Sequence, residues 1–200
     1  MRREKFVNGN VYHIFNRSIA GYRIFNYPDD FKRFITSIKY YQIPRKISFS
    51  AYLKVNKIKN PGTPSIIKST QEEPIVEIIG FCLMPTHIHL ILLQMKDNGI
   101  STFMNNILNS YTRYLNLKIK RKGPLWEGRF KSVLVQTGEQ LLHLTRYIHL
   151  NPVTAYIVDK PELWEFSSYK EFIGERKIEE KICNFDRILD IKPESYRKFV

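Results

Sequence analysis

Short apolar runs and runs of alternating apolar and polar residues recur along the chain, and they predict β-strands. The clearest are two β-rich runs at 75–84 and 87–95, which are separated only by Pro85-Thr86. So short a connection predicts an antiparallel hairpin. The full set of predicted strands covers residues 11–18, 47–55, 75–84, 87–95 and 130–137.

Longer stretches carry apolar residues at helical spacing. Residues 28–42 have such a stripe behind an acidic start, and residues 101–122 begin with a Ser-Thr cap signal and end in a cationic cluster before Gly123-Pro124. A third helix is predicted over 138–152, with its end set by Pro152, because the residue before a proline is pushed out of helical geometry. A further short helix is predicted from Pro152.

The order of these elements is β-α-β-β-β-α-β-α, which predicts an α+β sandwich with helices packed on one sheet. At 200 residues the chain is long enough for one well-filled core. We therefore expect one domain over residues 1–174, interrupted by a basic loop rich in Pro, Gly, Ser and Lys at 56–74. The charge run GERKIEEK then leads into a short C-terminal extension at 175–200.

Composition adds a partner and a compartment to this outline. The chain has 32 Lys and Arg against 19 Asp and Glu, a formal charge of +13, which predicts a polyanionic partner. Two cysteines make neither a disulfide framework nor a metal cluster. The basic start lacks the apolar stretch of a signal peptide, and no run reaches the roughly 18 apolar residues of a membrane span, so a cytoplasmic protein is expected.

Two of the five histidines lie together in the run MPTHIHLIL. His87 and His89 are two residues apart in a predicted strand and so share one face, where two imidazoles form half of a metal site. Each could instead be a partly buried residue satisfied by water or backbone. A triad of alternating histidines is excluded because position 91 is Ile. Two histidines with one oxygen ligand suit Mg²⁺ or Mn²⁺ acting as a Lewis acid on a phosphodiester.

The run HLTRYIHLNP offers an oxygen ligand and a nucleophile. Tyr147 and Asn151 are four residues apart on one helix face, with His143 one turn earlier on that face. A tyrosine phenolate can attack phosphorus, and the Asn151 amide oxygen could be the third metal ligand. Two structural alternatives stay open here: Tyr147 could belong to the core, and Asn151 could cap the helix that follows it.

Three segments, MPTHIHLIL, GPLWEGRFKS and RYIHLNPVTA, in this order and at these separations, resemble the HUH single-tyrosine transposases, in particular the branch of REP-associated tyrosine transposases. GNVYHIFNRS, DDFKRFI and WEFSSY match that branch too, so the resemblance covers about residues 8 to 173. Each motif alone is weakly specific, whereas the ordered set is strongly so.

The resemblance implies a ferredoxin-like fold with an antiparallel sheet, and an endonuclease and strand transferase that acts on single-stranded DNA near hairpin-forming repeats. It implies a divalent metal, Mg²⁺ or Mn²⁺, held by His87 and His89 and completed by Asn151. Tyr147 would be the nucleophile, giving a 5′-phosphotyrosine and a free 3′-OH.

Four other residues of these types are assigned structural roles. Tyr111 and Tyr114 are the rival nucleophiles, but neither has an amide or an acid four residues later, which favours packing. His13 and His149 match no catalytic position of the family and are expected to be structural.

Cations cluster around large rings in NLKIKRKGPLWEGRFKS, which predicts a surface that follows phosphates and stacks bases. The structural alternative is a solvated helix end with Trp126 in the core. The candidate DNA-binding residues are Lys118, Lys120, Arg121, Lys122, Trp126, Arg129 and Lys131, with Arg17 and Arg113 as weaker ones.

Two other functions fit the same residues. One is a non-catalytic, domesticated DNA-binding module, and the other is a metal-dependent hydrolase that uses water in place of tyrosine. The sequence also leaves open whether the chain acts as a monomer or a homodimer, and which DNA motif it recognises.

Overall fold

The computed structural model describes residues 5–58 and 73–200, so most of the predicted basic loop at 56–74 lies outside the described residues. Four strands form one sheet: β1 (Val11–Arg17), β2 (Val76–Met84), β3 (His87–Gln94) and β4 (Lys131–Val135). Six α-helices accompany them: α1 (Pro28–Tyr41), α2 (Phe49–Ile58), α3 (Gly99–Lys118), α4 (Gly138–Thr154), α5 (Tyr169–Phe172) and α6 (Pro193–Phe199).

The sheet has the order β2-β3-β1-β4, and every neighbouring pair is antiparallel. With α1 and α3 as the crossover connections, this is the ferredoxin-like arrangement. The predicted α+β class and the hairpin through Pro85-Thr86 are both confirmed, with Met84 opposite His87 at the closed end.

A first core fills the space between the sheet and the helices α1 and α3. On β1 and β3 the even-numbered residues point into it, including Ile14, Ile88 and Leu90, which are fully buried. The stripes on the two helices meet them with residues such as Phe34 and Phe103. Because each of these strands and helices buries one face in this core, their apolar residues recur with periods of 2 and 3.6, which is why the sequence predicts them.

A second core covers the opposite face of the sheet, which corrects the expectation that helices pack on one face only. Ile148 of α4 packs there with Ile79 and Ile91 from the strands. Tyr196 of α6 joins the same cluster, so the C-terminal extension lies against the domain. The boundary predicted at residue 174 stays a prediction. Within the described residues, no helix is both long and apolar enough to cross a bilayer.

The prediction of a strand at 47–55 is wrong, because helix α2 covers most of that run. Its apolar residues fit helical spacing as well as strand alternation, and Phe49 and Tyr52 both pack on Tyr40 of α1. Ser48 provides the helix start that the sequence reading overlooked: its hydroxyl accepts the Ala51 N–H at 3.2 Å.

The predicted end of the third helix is also wrong, since α4 runs through Pro152 to Thr154 and no separate helix starts there. A proline in the last turn removes one backbone hydrogen bond. The turn still closes, because the Ala155 N–H donates to the Asn151 carbonyl at 2.9 Å. Asn151 is therefore an interior residue of α4, and its alternative role as a cap is excluded.

His149 is the structural residue expected from the sequence. It is fully buried, with its ring nitrogens 2.6 Å from the Tyr196 hydroxyl and 2.8 Å from the Ser168 hydroxyl. Burial lowers the pKa of His149 to about 3. In the unfolded chain this histidine therefore binds a proton as the pH falls through about 6.5, whereas in the folded chain it stays neutral until the pH is much lower.

We expect acid to destabilise the fold partly through this residue. Its contribution is intact above pH 6.5 and is lost as the pH falls towards 3, with a slope of at most about 1.4 kcal/mol per pH unit. Urea unfolding at pH 7, 6 and 5 should show a shallower pH dependence in His149→Gln than in the wild type. Equal slopes in the two proteins would contradict this.

Candidate functional site

The second face of the sheet carries the histidines and several polar side chains. Strand register places Arg17 opposite His87 and Phe15 opposite His89, so these side chains share the face that α4 crosses. Between this face and α4 lies a cleft of about 690 Å³. Its walls include both members of the predicted histidine pair and both residues predicted on the helix: His87, His89, Tyr147 and Asn151.

Each histidine of the pair is held at one ring nitrogen. The Nδ1 of His89 lies 3.0 Å from Nε2 of His13, and the Nδ1 of His87 lies 3.0 Å from the hydroxyl of Thr86. Neither Nε2 makes a hydrogen bond within the described part of the chain. The two rings stand nearly perpendicular, with centroids 5.1 Å apart.

The environment keeps these histidines neutral. Burial lowers the pKa of His13 and of His87 to about 4, with the nearby Arg17 adding to the effect on His87. Burial lowers the pKa of His89 to about 3, with smaller contributions from His13, His87 and Arg17. Neutral imidazoles retain the lone pair that a metal ligand needs.

Tyr147, on α4, lies against two histidines of the sheet. Its ring meets that of His89 edge-on, at 5.8 Å between centroids, and that of His13 at 6.4 Å. The side chain is 53% exposed, and its hydroxyl makes no hydrogen bond to any described residue. The alternative of a core tyrosine is thereby excluded, and the hydroxyl is accessible to a substrate.

Asn151 lies one turn beyond Tyr147 and lines the same cleft. Its Nδ2 is enclosed and lacks a hydrogen-bond partner among the described residues. An unpaired buried amide costs about 1–3 kcal/mol, so a bound ligand that pairs with this amide would be favoured. Rotation of the amide by 180° exchanges its nitrogen and oxygen, which would present Oδ1 as a ligand.

The donors at this site fit a divalent metal. Among the described residues, two imidazoles have Nδ1 held and Nε2 unpaired, and one amide lacks a partner, so the cleft supplies three groups of the kinds that bind divalent metals. Among the described residues, no group of three or more His, Cys, Asp or Glu is arranged to hold a metal ion. A site here would therefore depend on the amide as well as the histidines.

Other predicted candidates lie elsewhere. His143, one turn before Tyr147, packs its ring against Phe199 at 5.4 Å and does not line the cleft with Tyr147 and Asn151. Tyr111 is buried and donates to the Ile24 carbonyl at 2.6 Å, and Tyr114 donates to Asp30 at 2.8 Å. Burial raises the pKa of both tyrosines, which makes each a poor nucleophile.

The predicted DNA-binding cations divide into two groups. Arg17, Arg129 and Lys131 line the cleft, and within the described residues none of them pairs with a carboxylate. A second cleft of about 1120 Å³ shares Arg129 and Lys131 with the first. The others lie around the end of α3 and line neither cleft: Arg113, Lys118, Lys120, Arg121 and Lys122.

Two members of the second group have structural partners. Lys118 forms an ion pair with the buried Asp30. Arg121 donates to the carbonyls of Gly123 and Pro124 and so fixes the turn after α3. Trp126 is 9% exposed and donates to the Thr112 hydroxyl at 3.0 Å, which favours the core interpretation of its ring over base stacking.

The sequence reading missed two residues of the cleft. His13 was assigned a structural role and Phe15 no role, yet both lie on the histidine face of the sheet. The signal was present in VYHIFNR, where His13, Phe15 and Arg17 alternate onto one face. Their partners could be recognised only once β1 was known to lie beside β3.

A known protein family matches the part of the chain that contains this site. The family described as Transposase IS200 like matches residues 54–151, a span that contains His87, His89, Tyr147 and Asn151. Over these residues the chain is similar to the IS200-like transposases. The predicted resemblance to transposases is confirmed.

Two similar proteins refine the comparison. A protein of Haemophilus influenzae named for the REP-associated tyrosine transposases is 28% identical over 115 residues, which are 52% of this chain and 65% of that protein. The match therefore spans just under two thirds of the relative. A solved structure of a REP-associated tyrosine transposase bound to a REP hairpin has a TM-score of 0.59. It is 18% identical, covers 96% of this chain and 98% of that chain, and establishes the shared fold.

Proposed function

We propose that this protein is a transposase that cleaves and rejoins single-stranded DNA near hairpin-forming repeats through a covalent link to Tyr147. One observation carries the proposal: the exposed side chain of Tyr147 lies against His89 in a cleft that also contains His87 and three cations without a carboxylate partner among the described residues. The family and the solved relative with its REP hairpin support DNA as the substrate.

The reaction would be a pair of transesterifications. The Tyr147 Oη attacks the scissile phosphorus, the bond from phosphorus to the 3′ oxygen breaks, and the phenol proton ends on that leaving oxygen. The products are a 5′-phosphotyrosine and a free 3′-OH. In the second step a 3′-OH attacks the same phosphorus, and Tyr147 leaves and regains its proton.

His87, His89 and Asn151 would hold Mg²⁺ or Mn²⁺ beside Tyr147. When bound, such an ion supplies Lewis-acid polarisation of a phosphate oxygen. The chain itself positions the attacking group: α4 fixes Tyr147 and Asn151 four residues apart, and the sheet fixes both imidazoles. Arg17, Arg129 and Lys131 would bind phosphates that flank the cleavage point.

The test is a denaturing gel after incubation of the full chain with a hairpin-bearing oligonucleotide and Mg²⁺ or Mn²⁺. We expect a covalent protein–DNA adduct that disappears when the metal is chelated. Cleavage without an adduct would instead indicate a hydrolase that uses water. Salt-sensitive binding without cleavage in either metal would indicate a DNA-binding module without catalysis.

The cleft cations should contribute to affinity in a salt-dependent way. Lys131→Ala and Arg129→Ala should each weaken binding of a single-stranded oligonucleotide and reduce the slope of log K against log salt by about 0.7, the value for one lost phosphate contact. Fluorescence anisotropy from 50 to 300 mM salt measures this. Lys32→Ala, on the exposed side of α1 beyond the first core, is the matched control and should change neither quantity. A slope unaltered in both cleft variants would remove these cations from the interface.

A further inference from the structure

His13 is placed by strand register next to the metal-site histidines. On β1 it lies opposite Ile91, while His89 lies opposite Phe15, so His13 and His89 are diagonal neighbours on the same face. The His13 Nε2 and the His89 Nδ1 are 3.0 Å apart, and the ring planes are inclined by only 17°. The lone pair of one nitrogen lies in its ring plane and can thus face the N–H of the other.

One proton must lie between these two nitrogens, and its position decides what His89 can do. If His13 donates from Nε2, the neutral His89 carries its own proton on Nε2 and has no lone pair there. If His89 donates from Nδ1, its Nε2 is left unprotonated and can bind a metal. His13 must then be the acceptor, with its own proton on Nδ1.

The second ligand histidine has the same pattern. Thr86 lies 3.0 Å from the Nδ1 of His87, and its hydroxyl can rotate to accept the proton of that nitrogen. Both imidazoles are thus held at Nδ1 and unpaired at Nε2 within the described residues. Metal-binding histidines are typically oriented in this way by a second group that holds the other ring nitrogen.

We propose that His13 is a positioning residue, which accepts the Nδ1–H of His89 and so holds His89 in the tautomer and ring orientation that bind a divalent metal through Nε2. This inference rests on the proposed function, since it needs the metal site, but it assigns a role that the sequence motifs do not contain. In this role His13 acts through His89.

Two variants separate this role from simple packing. His13→Phe keeps a flat ring and removes the acceptor, and it should weaken Mn²⁺ binding by about 10- to 100-fold, the usual cost of losing such a partner. His13→Gln retains an acceptor oxygen and should recover most of the affinity. Electron paramagnetic resonance of free Mn²⁺ measures both, with His143→Phe as the control on an exposed ring outside the cleft.

The tautomer gives an independent readout in the metal-free chain. Long-range ¹H–¹⁵N correlation spectra should show His89 protonated at Nδ1 in the wild type, and shifted towards Nε2 protonation in His13→Phe. Wild-type His89 protonated at Nε2, or Mn²⁺ affinity equal in His13→Phe and the wild type, would overturn the proposal. If the wild type itself binds Mn²⁺ no better than His87→Ala, the metal site fails, and this inference fails with it. A normal site that does not depend on His13 leaves the proposed function intact.

Discussion

Replacing Tyr147 with phenylalanine should abolish the covalent protein–DNA adduct while leaving DNA affinity within about twofold of the wild type. The substitution removes only the hydroxyl, which makes no hydrogen bond to the described residues, and keeps the ring that lies against His13 and His89. Because the side chain is 53% exposed, we expect a change in unfolding free energy within about 0.5 kcal/mol. The adduct is measured on a denaturing gel with a labelled hairpin oligonucleotide.

The matched control is Tyr156→Phe, which removes a hydroxyl from a side chain that is 97% exposed, nine residues further along the chain. This variant should form the adduct as the wild type does. An adduct that persists in Tyr147→Phe would show that another residue is the nucleophile. The buried Tyr111 and the partly buried Tyr114 could take that role only after a local rearrangement, because their hydroxyls donate hydrogen bonds to Ile24 and Asp30.

Several elements could be predicted from the sequence because local pattern and tertiary packing agree there. The hairpin of β2 and β3 is one, since its two apolar runs and the short turn fix both strands and their pairing. The run at 47–55 is different, because its apolar residues fit either period. The run is a helix because Phe49 and Tyr52 can then both pack on Tyr40. The sequence alone does not show that contact.

Part of the candidate site could likewise be predicted from local spacing, and part depends on tertiary packing. The pair His87 and His89 and the pair Tyr147 and Asn151 are each visible locally, since spacings of two in a strand and four in a helix put side chains on one face. That α4 lies on the histidine face rather than with α1 and α3 depends on the second core, which buries Ile148. The role of His13 could not be predicted from local spacing, because its partner His89 lies on a strand 76 residues away in sequence.

Replacing His87 with alanine should remove metal binding and adduct formation together. His87 supplies one of only three donors proposed for the ion, and no third imidazole is available to take its place, because His13 is bonded to His89 and His143 lies outside the cleft. We expect Mn²⁺ affinity to fall by more than about 100-fold, since losing even an orienting partner costs 10- to 100-fold. Calorimetric titration with Mn²⁺ and the adduct gel measure the two effects.

His143→Ala is the control for this variant, because it removes an imidazole from the exposed side of α4 and should change neither measurement. The expected outcome differs from that for Tyr147→Phe, which should retain Mn²⁺ binding while losing the adduct. That contrast separates the ligands from the nucleophile, since both variants lose the reaction but only one loses the ion. Full Mn²⁺ affinity in His87→Ala would place the ion elsewhere, and the cleft histidines would then have to act on the DNA without it.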